Sequence, residues 1–519
     1  MKSMFWADQH AANIVREFPD NEIYVCASGI TPSGRKHIGN FREIITVELV
    51  VRALKQMGKK VKFIYSWDGF DRFRGIPKDL SEDIKSKLKD ELGKPDSEVM
   101  DPWGCHKSWA EHWESFLEKE CKQVGINPEF IYQDKLFKKC VYWKGICTVM
   151  KDRKKVAEIL NRTRKEPLPM EWYPLFVYCE KCMKDSTKIT SYDEETTIEY
   201  ECKCGHKSKI DFSKKGFVKP PWRVDWAIRW NHYKENFEPA GKDHMVKGSS
   251  FESASSIIKE VFKSKPPYGF MYDFVLPKGM GGKMSASKGN VITTEDVLKV
   301  YLPEIVRFFF AGTKPNKEFS IPFDDEIFKT YEDFYLSERI YFGKEEVNER
   351  NKNQWSRVYE LSQIDNVPKK IPEQPKFSYC VELINLCNHD VEMSWEKAKE
   401  IKNAKDKKRW LAVLERAKFW VENYAPDKYK FEINENPKIK LNNNENEIIQ
   451  GLIKILDKDL SEEKLGEEIY SLVKDSKLGT KDSFKLIYKI LVSREKGPRL
   501  APFIIIIGKN KVKKILESV

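Results

Sequence analysis

Residues 22–68 constrain the fold more than any other part of the chain. EIYVCASG (22–29) is a near-continuous apolar run, the pattern of a strand buried on both faces. TPSGRKHIGN (31–40) follows, with a turn-forming Pro, two glycines and one of only eight histidines. FREIITVELVVRALKQMG (41–58) then carries Ile44, Ile45, Val47, Val51 and Leu54 at helical spacing and stops at Gly58. KVKFIYSWD (60–68) is the next strand. A strand, helix and strand in this order predict a βαβ unit and a parallel sheet.

Ligands of open parallel sheets sit at the carboxyl ends of the strands. The helix after HIGN points its N-terminus at that crevice, which suits a phosphate. The glycines at 29, 34 and 39 match neither G-x-G-x-x-G nor the Walker pattern, which disfavours a dinucleotide fold and a P-loop. Gly39 instead reads as a place where a base or ribose lies flat on the backbone. His37 then stands beside a triphosphate as a hydrogen-bond donor.

Further along, residues 78–175 read as a helical insertion rich in charge and Trp. YGFMYDFVL (268–276) is another strand, leading into the Gly-rich loop PKGMGGKMSASKGN. TTEDVLKVY carries hydroxyl and acidic N-cap signals, and Pro303 starts the helix after it. From about residue 330 onward the periodicity is helical, broken by a polar surface loop at 434–447.

With 519 residues, three to four domains are expected, and 40% hydrophobic content supplies cores for them. No apolar segment reaches the ~18–20 residues of a membrane span. The N-terminus reads as an amphipathic helix rather than a signal peptide, so the expected compartment is the cytoplasm. The net charge of +12, mostly lysine, fits a polyanionic partner or an ordinary solvated lysine surface.

Cys179-x2-Cys182, then Cys202-x-Cys204-x-His206 after nineteen residues, is a zinc signature. Cys179, Cys182 and Cys202 are three ligands, and Cys204 or His206 completes a closed structural site. DPWGCHKSWAEHW offers a second cluster, Asp101, Cys105, His106 and His112, with a loop up to His106 and His112 at the start of a helix. Five of the eight histidines (37, 106, 112, 206 and 244) fall in these motifs, which a random scatter would not produce.

HIGN resembles the HIGH signature of class I aminoacyl-tRNA synthetases, and KMSASKG (283–289) resembles their KMSKS signature. Each is weak alone. Together, in this order and context, they are specific. The finer resemblance is to class I lysyl-tRNA synthetases. It rests on SGITPSGRKHIGNFRE, YSWDGFDRFRGIP, DPWGCHKSWAEHW, PWRVDWAIRW, GKDHMVKGSSF and EKGPRLAPFI, and so runs over nearly the whole chain. Glutamyl-tRNA synthetases share the plan and are the nearest competitor. A cytidylyltransferase-like enzyme would be smaller and lack the second signature. A non-enzymatic tRNA-binding relative would have lost His37, Gly39 or Lys283.

The resemblance implies an α/β protein with a Rossmann-like parallel-sheet catalytic domain (1–95 and 216–285). It also implies an insertion with zinc-binding modules (96–215), a helical domain following the second signature (286–345) and an all-α anticodon-binding region (346–519). It implies that L-lysine is joined to AMP at the expense of ATP, with Mg2+, and then passed to tRNA(Lys), the activation step needing tRNA. A monomeric chain, free of membranes, is the expected state.

Attack of a carboxylate on the α-phosphorus needs positioning and charge stabilisation more than acid–base work. His37 and Asn40 in the first motif, and Lys283 and Lys288 in the second, are placed for that. Pro32, Ser33, Gly39, Met284, Ser285 and Ser287 complete the expected ATP site. Two departures stand out: Ala286 occupies the usual fourth-position Lys of the second signature, and Asn40 replaces a His. Either Lys288 substitutes for the missing charge or Lys283 acts with less help. For the amino acid, Gly29 and Thr31 lie at the end of the first strand and Asp68 and Asp71 at the end of the second. Trp222, His244 and Tyr272 match positions that shape the family's pocket, although Trp222 and Tyr272 also suit plain core packing. KRWLAVLERAKFWVENY (408–424) interleaves aromatics with basic residues, as base-stacking surfaces do, but Trp410, Leu414 and Phe419 also fall at core spacing.

Overall fold

A computed structural model describes residues 5–169, 171–277, 292–497 and 499–519. The chain forms two compact units. The first comprises Met1–Val297, Val306–Ile321 and Asn348–Asn366; the second comprises Leu298–Ile305, Pro322–Val347 and Val367–Val519.

The first unit opens with α1 (Trp6–Glu17), β1 (Ile23–Ile30), α2 (Ile38–Gln56) and β2 (Lys60–Trp67). β1 and β2 pair in parallel from Ile23 opposite Lys60 to Ile30 opposite Trp67, as the sequence predicts. α2 starts at a capping box. The His37 ring accepts from the Asn40 amide at 3.2 Å, and the Asn40 side chain accepts from the His37 amide at 3.1 Å. Gly58 ends the helix region with φ +76°, a backbone state that favours glycine.

The stretch read as purely helical differs from that reading. After α3 (Glu82–Leu88) and α4 (Trp109–Gln123), β3 (Glu129–Tyr132) adds to β2 in parallel. Its four residues, between helices, are too few to show periodicity. On the other side of β1, Phe237 bridges Cys26 and Tyr268, and Ala240–Gly241 pairs with Met271–Tyr272, all in parallel. The segment 268–276 is therefore not one strand: Val275–Pro277 pairs separately with Phe319–Ile321. Strands Thr187–Tyr192, Thr197–Cys202 and Lys207–Asp211 form an antiparallel meander around the cysteine motif.

Thr293 and Asp296 form a reciprocal cap before the helix Thr294–Val300, and Pro303 opens the helix Pro303–Gly312. The second unit is helical apart from its loops, with a core that includes Leu452, Ile469, Ile487, Phe503 and Val512. The polar break predicted at 434–447 is shorter, because Asn442 and Glu445 cap a helix that begins at Asn443.

Candidate active site and metal centres

A cleft of about 810 Å³ lies in the first unit at the carboxyl ends of β1 and β2. Gly29, Thr31, Asp68, Asp71, Trp222, His244 and Tyr272, the seven residues expected to meet the amino acid, all line it. So do Ser33, His37, Gly39 and Asn40 of the first motif. Pro32 is buried beside them. Lys283, Met284, Ser285, Ser287 and Lys288 lie outside the described residues. Trp222 and Tyr272 are half-buried on the cleft wall rather than sealed in the core.

The hydrogen bond that caps α2 also defines the histidine. The Nδ1 atom of His37 accepts from the Asn40 amide, so the ring's other nitrogen carries the proton. Gly29 is held by packing: a Cβ there would come within 2.7 Å of the Ser66 carbonyl oxygen on β2.

Asp71 accepts from the Thr31 hydroxyl at 2.6 Å and pairs with the buried Lys219. Burial would raise its carboxyl, but Lys219 and Thr31 together hold it below the usual range. Asp68 accepts from the Arg229 guanidinium at 2.7 Å. Behind them Asp225 lies 3.5 Å from Arg229 and 3.8 Å from Lys219, and burial pushes it up to about 6. Both acids at the end of β2 are thus already matched by protein cations.

Glu43 has no such ion pair among the described residues, although Lys36 nearby favours its charged form. It lies one turn into α2, lines the cleft and accepts from the Gly29 amide at 3.3 Å. Burial pushes its carboxyl up to about 8, with Glu238 and Asp68 adding to the shift. Burial, with Glu43 alongside, holds the Tyr272 hydroxyl well above its ordinary range. One wall of the cleft is aromatic. Trp222 lies 5.2 Å from both Trp226 and His244, and Glu238 accepts from the indoles of Trp226 and Trp230.

The sulfurs of Cys179, Cys182, Cys202 and Cys204 all lie within 4.8 Å of one another. The pairs Cys179–Cys204 and Cys182–Cys202 are 3.7 Å apart. A tetrahedron with metal–sulfur bonds of about 2.3 Å has edges of about 3.8 Å, so the four thiols fit zinc. A disulfide would need sulfurs about 2.05 Å apart. The Lys181 amide donates to the Cys179 sulfur at 3.4 Å. His206 is not part of the four-sulfur group. The second predicted cluster also assembles. The Cys105 sulfur lies 3.1 Å from His106 Nδ1, 3.3 Å from His112 Nδ1 and 3.3 Å from Asp101. The Asp101 carboxylate accepts the amides of Trp103, Cys105 and His106, which turns the loop toward the helix bearing His112.

A model of the family described as tRNA synthetases class I (K) matches residues 4–365. The chain belongs to this family. The lysine–tRNA ligase of Borreliella burgdorferi is 41% identical over 524 residues, the full length of both chains. Those of Thermococcus kodakarensis and Treponema pallidum are 39% and 38% identical, each over 99% of both chains.

Within this class I synthetase, sequence reasoning missed Glu43, Glu238, Lys219 and Arg229. Glu43 had left a signal. Arg42, Glu43 and Glu48 interrupt an otherwise apolar helix run, FREIITVELVV, and charges in a buried helix need partners. Arg42 finds them in the carbonyl oxygens of Asp273, Phe274, Lys314, Pro315 and Lys317, at 2.7–3.3 Å. In the second unit, Trp410 and Leu414 are buried, as core packing requires, and Phe419 is half-buried. Among the described residues no helix is long and apolar enough to cross a membrane.

Proposed function

We propose that the protein is an ATP-dependent lysine–tRNA ligase that joins L-lysine to tRNA(Lys) through lysyl-adenylate, releasing pyrophosphate and then AMP. One observation carries the choice of amino acid: Glu43 lines the cleft as a buried carboxyl with no ion-pair partner among the described residues, and Glu238 beside it is met by two indole N–H groups. A lysine ammonium supplies the missing charge. A glutamate side chain would add a second carboxylate there. The full-length likeness to lysine–tRNA ligases supports the same reading.

The lysine carboxylate attacks the α-phosphorus, and the bond to pyrophosphate breaks. His37, through its protonated ring nitrogen, and Asn40, through its amide, donate to phosphate oxygens as charge grows there. Lys283 and Lys288 add positive charge from the second motif. Mg2+ bound to the triphosphate supplies further neutralisation. Gly29 and Thr31 hold the backbone end of lysine. Asp71 fixes the Thr31 hydroxyl, and Trp222, His244 and Tyr272 enclose the side chain. A ribose hydroxyl of the terminal adenosine of tRNA then attacks the lysyl carbonyl carbon, gives up its proton, and AMP leaves.

Zinc is structural in this reading: one ion on Cys179, Cys182, Cys202 and Cys204, a second on Asp101, Cys105, His106 and His112. Clustered thiols of this kind persist in a reducing compartment, which supports the cytoplasm as the site of action. The test is pyrophosphate exchange into ATP with lysine or glutamate, each with and without tRNA. Exchange with lysine, only when tRNA is present, is expected. Exchange with glutamate would overturn the specificity, and no exchange with either would overturn the ligase reading.

A further inference from the structure

A second cavity, of about 560 Å³, adjoins the main cleft. Thr31, Ser33, His37 and Asn40 line both, so the first motif is a partition with a space on each face. The second space has further walls of its own, among them the cations Arg35 and Lys36, the acid Asp79, and Pro77, Leu80 and Trp113. None of these belongs to the amino-acid or ATP assignments above.

Two of these walls are unusual. Trp113 is 8% exposed, and its buried indole N–H has no hydrogen-bond partner among the described residues. An indole N–H only donates, and a buried donor without an acceptor is rare in a finished core. The ring is held rigidly, 4.7 Å from His112 and 5.4 Å from Trp109. Lys36 donates one hydrogen bond, to the Thr31 carbonyl at 2.6 Å, and its ammonium has two further protons to donate. Burial lowers its pKa to about 8, although Asp96 and Glu43 nearby oppose that shift.

The ligation itself requires a second approach. When lysyl-adenylate has formed, lysine and AMP still fill the main cleft. The RNA end must reach the same carbonyl from outside that volume. It carries a phosphodiester, a ribose hydroxyl and a purine base. Lys36 offers a cation to the first. Trp113, Leu80 and Pro77 offer apolar faces and one donor to the last. ATP offers the same phosphate and purine chemistry, so separate KM values for tRNA and ATP decide between the two occupants.

We propose that this second cavity receives the 3′-terminal nucleotide of the acceptor RNA, with Lys36 on its phosphodiester and Trp113 against its base. This inference rests on the ligase reading. Aminoacylation by the full-length protein tests it through separate KM values for tRNA, ATP and lysine. Lys36→Met and Trp113→Ala are each expected to raise the KM for tRNA about tenfold, the scale of one base contact, and to leave those for lysine and ATP within about twofold. Lys36→Arg should recover most of the loss, and Trp113→Phe part of it.

A rise in the KM for ATP without one for tRNA would overturn the proposal in favour of a triphosphate site. Unchanged constants in both variants would overturn it outright. Photo-cross-linking of the wild-type protein to tRNA bearing 8-azidoadenosine at its 3′ end avoids any folding defect. Adducts are expected on residues 77–80 or on α4 near Trp113. Adducts confined to residues 240–244 of the main cleft would refute it. Wild-type protein that charges no tRNA with lysine would instead mark failure of the ligase reading, because cross-linking needs no turnover.

Discussion

Replacing Glu43 tests the lysine site most directly. Its carboxyl titrates at about 8 in the free protein because burial penalises the charged form. Lysine binds as a cation and needs the carboxylate, so each binding event removes a proton from Glu43 wherever the pH lies below that value. About one molecule in eleven is ionised at pH 7 and about one in a hundred at pH 6. The apparent Kd for lysine should therefore rise about tenfold for each pH unit below 8 and level off above it. At pH 7, calorimetry in buffers of different ionisation enthalpy should report about 0.9 proton released per lysine bound. Lysine's own amino groups stay protonated over most of this window. Asp225, pushed up to about 6, and Lys36, lowered to about 8, also titrate nearby, so the Glu43→Gln variant is the control. It should bind lysine about a hundredfold more weakly than the wild type at pH 8.5, within the range for truncating a buried charge partner, with a Kd flat from pH 6 to 8. A wild-type Kd flat over that range with no proton release at pH 7 would refute the reasoning, as would a Gln variant that keeps the wild-type profile.

Other substitutions probe the remaining parts. His37→Ala should slow adenylate formation by about 10²–10³-fold, the scale of one oxyanion donor, with the KM for lysine little changed; His37→Asn, which keeps a cap acceptor and an N–H donor, should lose less, and equal losses would remove the donor role. The protein should carry two zinc ions by elemental analysis. Cys204→Ser should lose one and Asp101→Asn the other, whereas His206→Ala should keep both; loss of zinc from the His206 variant would reverse the ligand assignment. Arg42→Met leaves five carbonyl oxygens without their donor, and should cost about 3–5 kcal/mol of unfolding free energy, since each neutral acceptor left buried and unpaired costs ~1–3 kcal/mol. A denaturant melt unchanged from the wild type would show that solvent replaces the guanidinium.

Much of the cleft is legible along the chain because its parts are local. The capping geometry of His37 and Asn40 spans three residues, and the parallel pairing of β1 with β2 follows from one apolar strand, one helix and a second strand. β3 escapes because four residues give no period to read. Trp222 and Tyr272 leave core packing and cleft wall equally open, since an aromatic at helical or strand spacing looks the same in both settings; only neighbours such as His244 distinguish them.

By itself the sequence determined the order of the two signature motifs, the βαβ start, the helical C-terminal part and, but for the choice between Cys204 and His206, the two side-chain clusters that could hold a metal. These depend on spacing, and spacing survives in one dimension. Tertiary structure decided the charge state of the cleft. Asp71 is matched by Lys219, 148 positions away, and Asp68 by Arg229, 161 positions away. That pairing leaves Glu43 as a buried cleft carboxyl without an ion pair among the described residues. Cys204 joins the cysteine cluster rather than His206 because the meander carries its sulfur, and not the imidazole, to the other three. Ionisation and coordination depend on distance in space, and a linear chain does not record which distant residues will share a buried volume.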